Sequence, residues 1–255
     1  MKLDRRSFIT SALAATATLT ASRTQADDQR GLSKIRAVAF DAFTLFDPRP
    51  IFSACESVVP GRGLELANLW RTRQFEYQWL HALGNQYRDF FAVTQAALEF
   101  AAQSLKIELT AGARDRLMHG FFEMRAWPDV AQALRDLRRA GKQLALLSNA
   151  TVPILEASLK NSALEGALDL VISTDRIQSF KPEPRAYQLG VDLLNVAKHE
   201  LVFVAFAGWD VAGAKWFGYP TFWNNRQSAA AEVLGVKADG EGPSLGDLAG
   251  FVAVR

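Results

Sequence analysis

Ile35-Arg36-Ala37-Val38-Ala39-Phe40-Asp41-Ala42-Phe43-Thr44-Leu45-Phe46-Asp47 begins as a short apolar run and ends it abruptly on a carboxylate. Residues 35–40 have the length and composition of a strand buried on both faces, which places Asp41 at its carboxyl end. Three further runs read the same way, at residues 143–147, 168–173 and 201–205, with a weaker one at 220–223. Helical patterns lie between them. Residues 128–140 are followed by Gly141 as a C-cap, and residues 153–160 open on Pro153, which suits a first helical turn. Strands alternating with helices imply right-handed crossovers and a mostly parallel sheet covered on both faces, an α/β core of Rossmann-like type.

The alternation breaks once. Residues 51–125 hold no strand pattern, only helices at 64–83, 90–105 and 110–122. In the first of these Leu66, Leu69, Trp70, Tyr77 and Leu80 recur near the helical period and leave a charged face opposite. The expected organisation is a core domain of residues 34–50 and 126–255, with an all-helical cap of residues 51–125 inserted after the first strand. Ligands of open parallel sheets bind beyond the carboxyl ends of the strands, so the cap would roof the site.

The first 26 residues read as an export signal rather than as part of the fold. Arg5-Arg6 precede Phe8-Ile9, an Ala/Thr/Leu-rich stretch follows, and small residues lead to Asp27-Asp28. This is the plan of a twin-arginine signal peptide, and it implies a periplasmic protein. The apolar middle is diluted by threonine and falls short of the roughly 20 residues needed to span a bilayer, so no stable membrane anchoring is expected after cleavage.

Composition narrows the function classes. Lysine and arginine number 29 against 27 acidic residues, dispersed rather than gathered in a stripe, so no nucleic-acid partner is indicated. Cys55 is the only cysteine, which rules out an intramolecular disulfide framework and a cysteine-rich zinc site. His81, His119 and His199 are too scattered to suggest a metal cluster.

Polar residues cluster where the strands end. Asp41 follows the first strand, Ser148-Asn149 the second, Lys181 the third, within Phe180-Lys181-Pro182, and Asp210 the fourth, within Gly208-Trp209-Asp210. Each alone has an ordinary explanation: the aspartates as helix caps, Ser148-Asn149 as a turn, Lys181 as a solvated loop charge. At four successive strand ends they converge on one edge, which suits nucleophilic displacement by a carboxylate. Asp41 would attack an electrophilic carbon and Lys181 would balance its charge. Ser148 and Asn149 would offer donors to a substrate carboxylate, and Asp210 would orient or deprotonate the water that hydrolyses the ester.

Taken in order, these segments resemble the type II L-2-haloacid dehalogenases of the haloacid dehalogenase superfamily. The match runs through Ala39-Phe40-Asp41-Ala42-Phe43 and Thr44-Leu45-Phe46-Asp47, then the cap stretch Leu69-Trp70-Arg71-Thr72-Arg73-Gln74-Phe75-Glu76-Tyr77-Gln78-Trp79-Leu80. It continues through Leu147-Ser148-Asn149, Phe180-Lys181-Pro182 with Tyr187, and Asp210-Val211-Ala212-Gly213-Ala214-Lys215. The resemblance implies metal-independent, cofactor-free hydrolysis of short (S)-2-haloacids through an ester on Asp41. It further implies that Arg71 and Asn149 cradle the leaving halide, that Trp209 forms an aromatic wall, and that Ser148 holds the substrate carboxylate. Lys181, with Tyr187 nearby, would support the charged site, Asp210 would assist ester hydrolysis, and the molecule would be a homodimer.

Three departures from the family pattern bear on the site. The glycine expected between Phe43 and Thr44 is absent, so the loop after Asp41 is one residue short and no family role passes to Thr44. Ala205 and Ala207 stand where the family resembles a serine and an asparagine, which thins the hydrogen bonding for the hydrolytic step. Phe206 adds bulk there, for a smaller or more apolar pocket. Two rivals follow. One is an exported protein that binds a small carboxylate with little or no turnover. The other is a phosphatase, opposed by Phe43 and Phe206 where an acid/base and a magnesium ligand would be needed.

Overall fold

A computed structural model describes residues 35–255, and the twin-arginine signal expected at residues 1–26 lies outside the described residues. The chain runs β1 (Ala37–Phe40), α1 (Ala42–Leu45), α2 (Arg49–Val58), α3 (Gly63–Leu83), α4 (Phe90–Ser104) and α5 (Ala111–His119). It continues through α6 (Val130–Arg139), β2 (Gln143–Ser148), α7 (Val152–Asn161), β3 (Leu170–Ser173), α8 (Pro184–Leu194) and β4 (Leu201–Ala205). It ends with α9 (Gly208–Phe217), β5 (Thr221–Asn224), β6 (Gly240–Gly242) and α10 (Leu245–Ala253).

The six strands form one sheet in the order β3-β2-β1-β4-β5-β6, every pair parallel. β1 lies between β2 and β4, so the strand that delivers Asp41 is paired along both edges. Successive residues serve opposite faces, as the period of two requires. Val38, Phe40, Leu144, Leu146, Val202 and Val204 enter the larger core, which continues into the helices of residues 49–119, while Ala39, Ala145, Leu147, Phe203 and Ala205 enter the smaller core with Tyr187 and Tyr219.

The helical excursion leaves and rejoins the sheet at a single seam. Phe46 forms an antiparallel bridge with Ala126, flanked by Asp47 N–H to Arg125 O at 2.9 Å and Trp127 N–H to Leu45 O at 3.0 Å. Between these points α3 and α4 are joined through Thr94. Its carbonyl accepts from Trp70 Nε1 at 2.9 Å and its hydroxyl from Gln74 Nε2 at 2.7 Å.

Two elements were invisible in the sequence pattern. α2 buries only Ile51 and Cys55, a pair four residues apart that gives too sparse a stripe to read. β6 is Gly-Glu-Gly, with no apolar alternation; it pairs with β5, and Phe251 packs into the space that a Cβ at Gly240 would take. β3 also starts later than the apolar run, where Leu144 N–H donates to the Asp169 carboxylate at 2.8 Å instead of to a backbone carbonyl.

Candidate active site

Asp41 is fixed by its neighbours in the chain as much as by the sheet. Its N–H donates to Val204 O at 2.9 Å, continuing the β1–β4 ladder by one residue. It then caps α1: Oδ2 accepts from Phe43 N–H at 3.0 Å, and Thr44 Oγ donates to the Asp41 carbonyl at 2.6 Å. The loop shortened by one residue is therefore a single helical turn, and the fully buried Thr44 braces the backbone of Asp41 from within it.

Behind Asp41 lies a buried ion chain. Lys181 Nζ donates to Asp41 Oδ1 at 2.8 Å and to Asp210 Oδ2 at 2.6 Å, and Tyr187 donates its hydroxyl to Asp210 Oδ1 at 2.6 Å. The side chains of Lys181 and Asp210 are each 1% exposed, against 14% for Asp41. Lys181 also sits 4.8 Å from the centre of the Phe203 ring, a cation–π contact on its remaining side. Burial alone would favour a neutral amine, but Asp210 and Asp41 outweigh it and raise the Lys181 pKa, so the ammonium persists. Burial pushes Asp210 up to about 6, against the pull of Lys181. Burial, then the Asp210 charge, lifts Tyr187 well above the ordinary phenol value, so it remains a donor.

In front of Asp41 opens a cavity of about 850 Å³, lined from the sheet side by Asp41, Phe43, Ser148, Asn149, Phe206 and Trp209, and from α3 by Arg71, Gln74, Phe75, Gln78 and Trp79. That volume lies within the range of small-molecule sites. Phe206 therefore does not close the pocket. It meets Phe43 edge-on, with centroids 6.0 Å apart, and makes that wall apolar. Trp209 packs against Phe75 at 5.3 Å and Trp79 at 5.7 Å, which ties the α9 end of the site to α3.

The structure thus brings Asp41, Lys181, Asp210 and Tyr187 into one hydrogen-bonded chain, and Arg71, Ser148, Asn149 and Trp209 onto the wall of the cavity that Asp41 faces. Asp210 does not reach that cavity: both its oxygens are occupied and it lies behind Asp41, because α9 sets it beneath the sheet end. Ser148 Oγ accepts from Ala150 N–H at 3.1 Å, which leaves its own proton to give. Asn149 is held on all sides. Its Oδ1 accepts from Lys181 N–H at 2.8 Å and from Thr174 Oγ at 3.3 Å, and its Nδ2 donates to Gln78 Oε1 at 2.7 Å. Arg71 is exposed at the cavity edge, with no ion pair among the described residues.

Sequence reasoning missed Gln78, which is 1% exposed and bonded across to Asn149. It also missed Arg226, which donates to Thr44 O at 3.1 Å and pairs with Asp129 at 3.0 Å beside the cavity. A glutamine on a charged helix face carries no signal. The run Asn224-Asn225-Arg226 just after a strand was legible as one more polar strand end. Among the described residues no cluster of three or more His, Cys, Asp or Glu side chains could hold a metal ion.

Comparison with known proteins agrees with this architecture. Residues 30–218 match the family model of the haloacid dehalogenase-like hydrolases. Haloacetate dehalogenase H-2 of Moraxella sp. (strain B) is 37% identical over 224 residues, covering 88% of this chain and all of the relative. The (S)-2-haloacid dehalogenase of Pseudomonas sp. (strain YL) is 36% identical, covering 83% of this chain and 91% of the relative. The structure of the L-2-haloacid dehalogenase of Xanthobacter autotrophicus with chloropropionic acid covalently bound superposes with a TM-score of 0.79 at 34% identity, over 86% of this chain and 98% of that one. The chain belongs to the haloacid dehalogenase-like hydrolases, in the family of the L-2-haloacid dehalogenases.

Proposed function

We propose that the protein hydrolyses the carbon–halogen bond of short (S)-2-haloacids, with Asp41 as nucleophile. The observation that carries this reading is Asp41 itself: a carboxylate backed by a buried ammonium and opening onto an aromatic cavity with Arg71 exposed at its edge. Ser148 donates a hydrogen bond to the substrate carboxylate and Arg71 supplies positive charge from α3. A carboxylate oxygen of Asp41 attacks C2 from the face opposite the halogen, the C–O bond forms as the carbon–halogen bond breaks, and halide departs with the electron pair. Trp209 walls the apolar part of the substrate.

Water then adds to the Asp41 ester carbonyl. Each oxygen of Asp41 already has its own donor, Lys181 Nζ on one and Phe43 N–H on the other. Whichever oxygen becomes the ester oxygen, the other keeps a donor for the charge that grows on it, an oxyanion site built in advance. On collapse one proton of the water goes to the departing alkoxide, which leaves as the 2-hydroxy acid, and the other is lost to solvent, which restores the Asp41 carboxylate. Asp210, fixed by Tyr187, works through Lys181 as a positioning residue. Residues 51–125 serve as the cap that shields the ester from bulk water.

The test is halide release from several short 2-haloacids without added metal, beside an Asp41→Asn variant. Release by the wild type and none by the variant is expected. Silence from the wild type on all substrates would remove the enzyme reading and leave that of a carboxylate-binding protein.

Export to the periplasm and homodimerisation are part of the same proposal. The first rests on Arg5-Arg6 and the small residues before Asp27, and is checked by fractionating cells that carry Arg5→Lys together with Arg6→Lys. The second is checked by the mass of the purified protein in solution.

A further inference from the structure

Polar atoms of the cavity wall that are buried without a partner among the described residues include Gln78 Nε2, Trp79 Nε1 and Trp209 Nε1, all donors. The one acceptor among them, Glu76 Oε2, is held by Arg73 at 2.7 Å. Buried donors without acceptors are costly and persist where a ligand supplies the acceptor. The wall is built for an anion or an electronegative atom.

For Gln78 the chemistry of the free end is fixed by a chain of bonds. A backbone N–H can only donate, so the Asn149 atom that receives Lys181 N–H must be its carbonyl oxygen. The other end of Asn149 is then its NH2, so the Gln78 atom facing it must be Oε1. The Gln78 NH2 is left free. By the same bonds Asn149 has spent its donors, on Gln78 Oε1 at 2.7 Å and Lys181 O at 3.5 Å.

Displacement at C2 requires the leaving group to lie opposite the attacking oxygen. Asp41 attacks from the strand end, so the halogen must point toward α3. There Gln78 lies two helical turns beyond Arg71, on the same face. We propose that Gln78 Nε2 is a binding residue for the departing halide and supplies the hydrogen bond that Asn149, saturated in this structure, does not. This rests on the dehalogenase reading above. Chloride, the poorer leaving group, depends on that bond more than iodide does.

The experiment compares the wild type with Gln78→Met, which removes the donors, and Gln78→Glu, which keeps the acceptor for Asn149 but replaces the donor by negative charge. Melting temperatures establish that both fold. Gln78→Met should lower kcat/KM on 2-chloropropionate about tenfold, the loss of one bond to a charged group, and on 2-iodopropionate less than about threefold. Gln78→Glu should fall further on both. Equal losses on the two substrates, or a Gln78→Glu enzyme as active as wild type, would mean that Gln78 only braces Asn149. A calorimetric bromide titration of the resting protein separates this assignment from the activity. Bromide should bind the wild type at least about fivefold more tightly than Gln78→Met, and equal affinities overturn the assignment. Gln78-dependent bromide binding in a wild type that releases no halide would overturn the dehalogenase reading while the anion site stands.

Discussion

The two sides of Asp41 are built on opposite rules. Behind it, Lys181, Asp210 and Tyr187 are buried and joined end to end, so that each charge is met by a partner. In front, the wall from α3 and the start of α9 holds donors without an acceptor, and an arginine without a counter-ion, among the described residues. A saturated network fixes geometry, because no member can move without stranding another. An unsaturated wall binds, because its free energy is realised only when an acceptor arrives. The nucleophile stands at the boundary, rigid from one side and open to ligand on the other.

The sharpest way to break this contrast is to empty the saturated side. Lys181→Met leaves the buried Asp210 and the part-buried Asp41 without their cation, and should abolish halide release while lowering stability by about 3–5 kcal/mol in urea unfolding. A variant that keeps its stability would mean that water reaches the pair and the network is not closed. On the open side the effects separate. Arg71→Gln should lower kcat/KM about a hundredfold, within the range for losing one preorganised charged donor, and leave the urea midpoint unchanged because Arg71 is exposed and strands no partner among the described residues. A stability loss there would show that Arg71 belongs to the framework instead.

Smaller effects refine the saturated side. A Cβ at Gly213 would collide with the Tyr187 hydroxyl and with Pro182, so α9 can approach Tyr187 only with glycine there. Gly213→Ala should cost about 1–3 kcal/mol as an overpacked core position and lower activity severalfold by pushing Tyr187 off Asp210. Unchanged kcat in that variant would remove Tyr187 from the positioning chain.

The pH profile gives the mildest test. Asp210 takes up a proton as the pH falls through about 6, whereupon the whole Lys181 charge falls on Asp41 and blunts its attack. Activity should therefore decline below about pH 6, and Asp210→Asn should lack that limb. The sign for stability is opposite. A carboxyl whose folded pKa is raised above its unfolded value of about 3.9 favours the folded state progressively as the pH falls between the two, so acid inactivation in that window would not be unfolding driven by this group.

The saturated side was largely legible in the sequence, and the open side was not. Asp41, Lys181 and Asp210 each interrupt or follow an apolar strand, where a charged residue needs a reason, and the parallel order of the strands brings such residues together. Tyr187 became visible only through the family resemblance, since a tyrosine in an amphipathic helix reads as ordinary core. Gln78 gave no signal because its burial comes from contact with Asn149, 71 residues further along the chain, and no local pattern encodes that meeting. The same limit hid β6, which is a strand by pairing with β5 and by nothing in its own composition. Expectations drawn from single positions needed correcting for the same reason. Asp210 was expected at the water and lies behind the nucleophile, while Asn149 was expected to be an open donor and is saturated by Lys181 and Gln78.

The central claim is that Asp41 becomes covalently attached to the substrate and is freed by water attacking its own carbonyl. A single turnover in ¹⁸O-labelled water, with enzyme in excess over 2-chloropropionate, tests it by mass spectrometry of both the product and the peptide that contains Asp41. The account predicts that the first-formed lactate carries unlabelled oxygen taken from Asp41 and that the label appears in the Asp41 peptide. Label in the lactate with none in the peptide would mean that water attacks C2 directly, and Asp41 would not be the nucleophile.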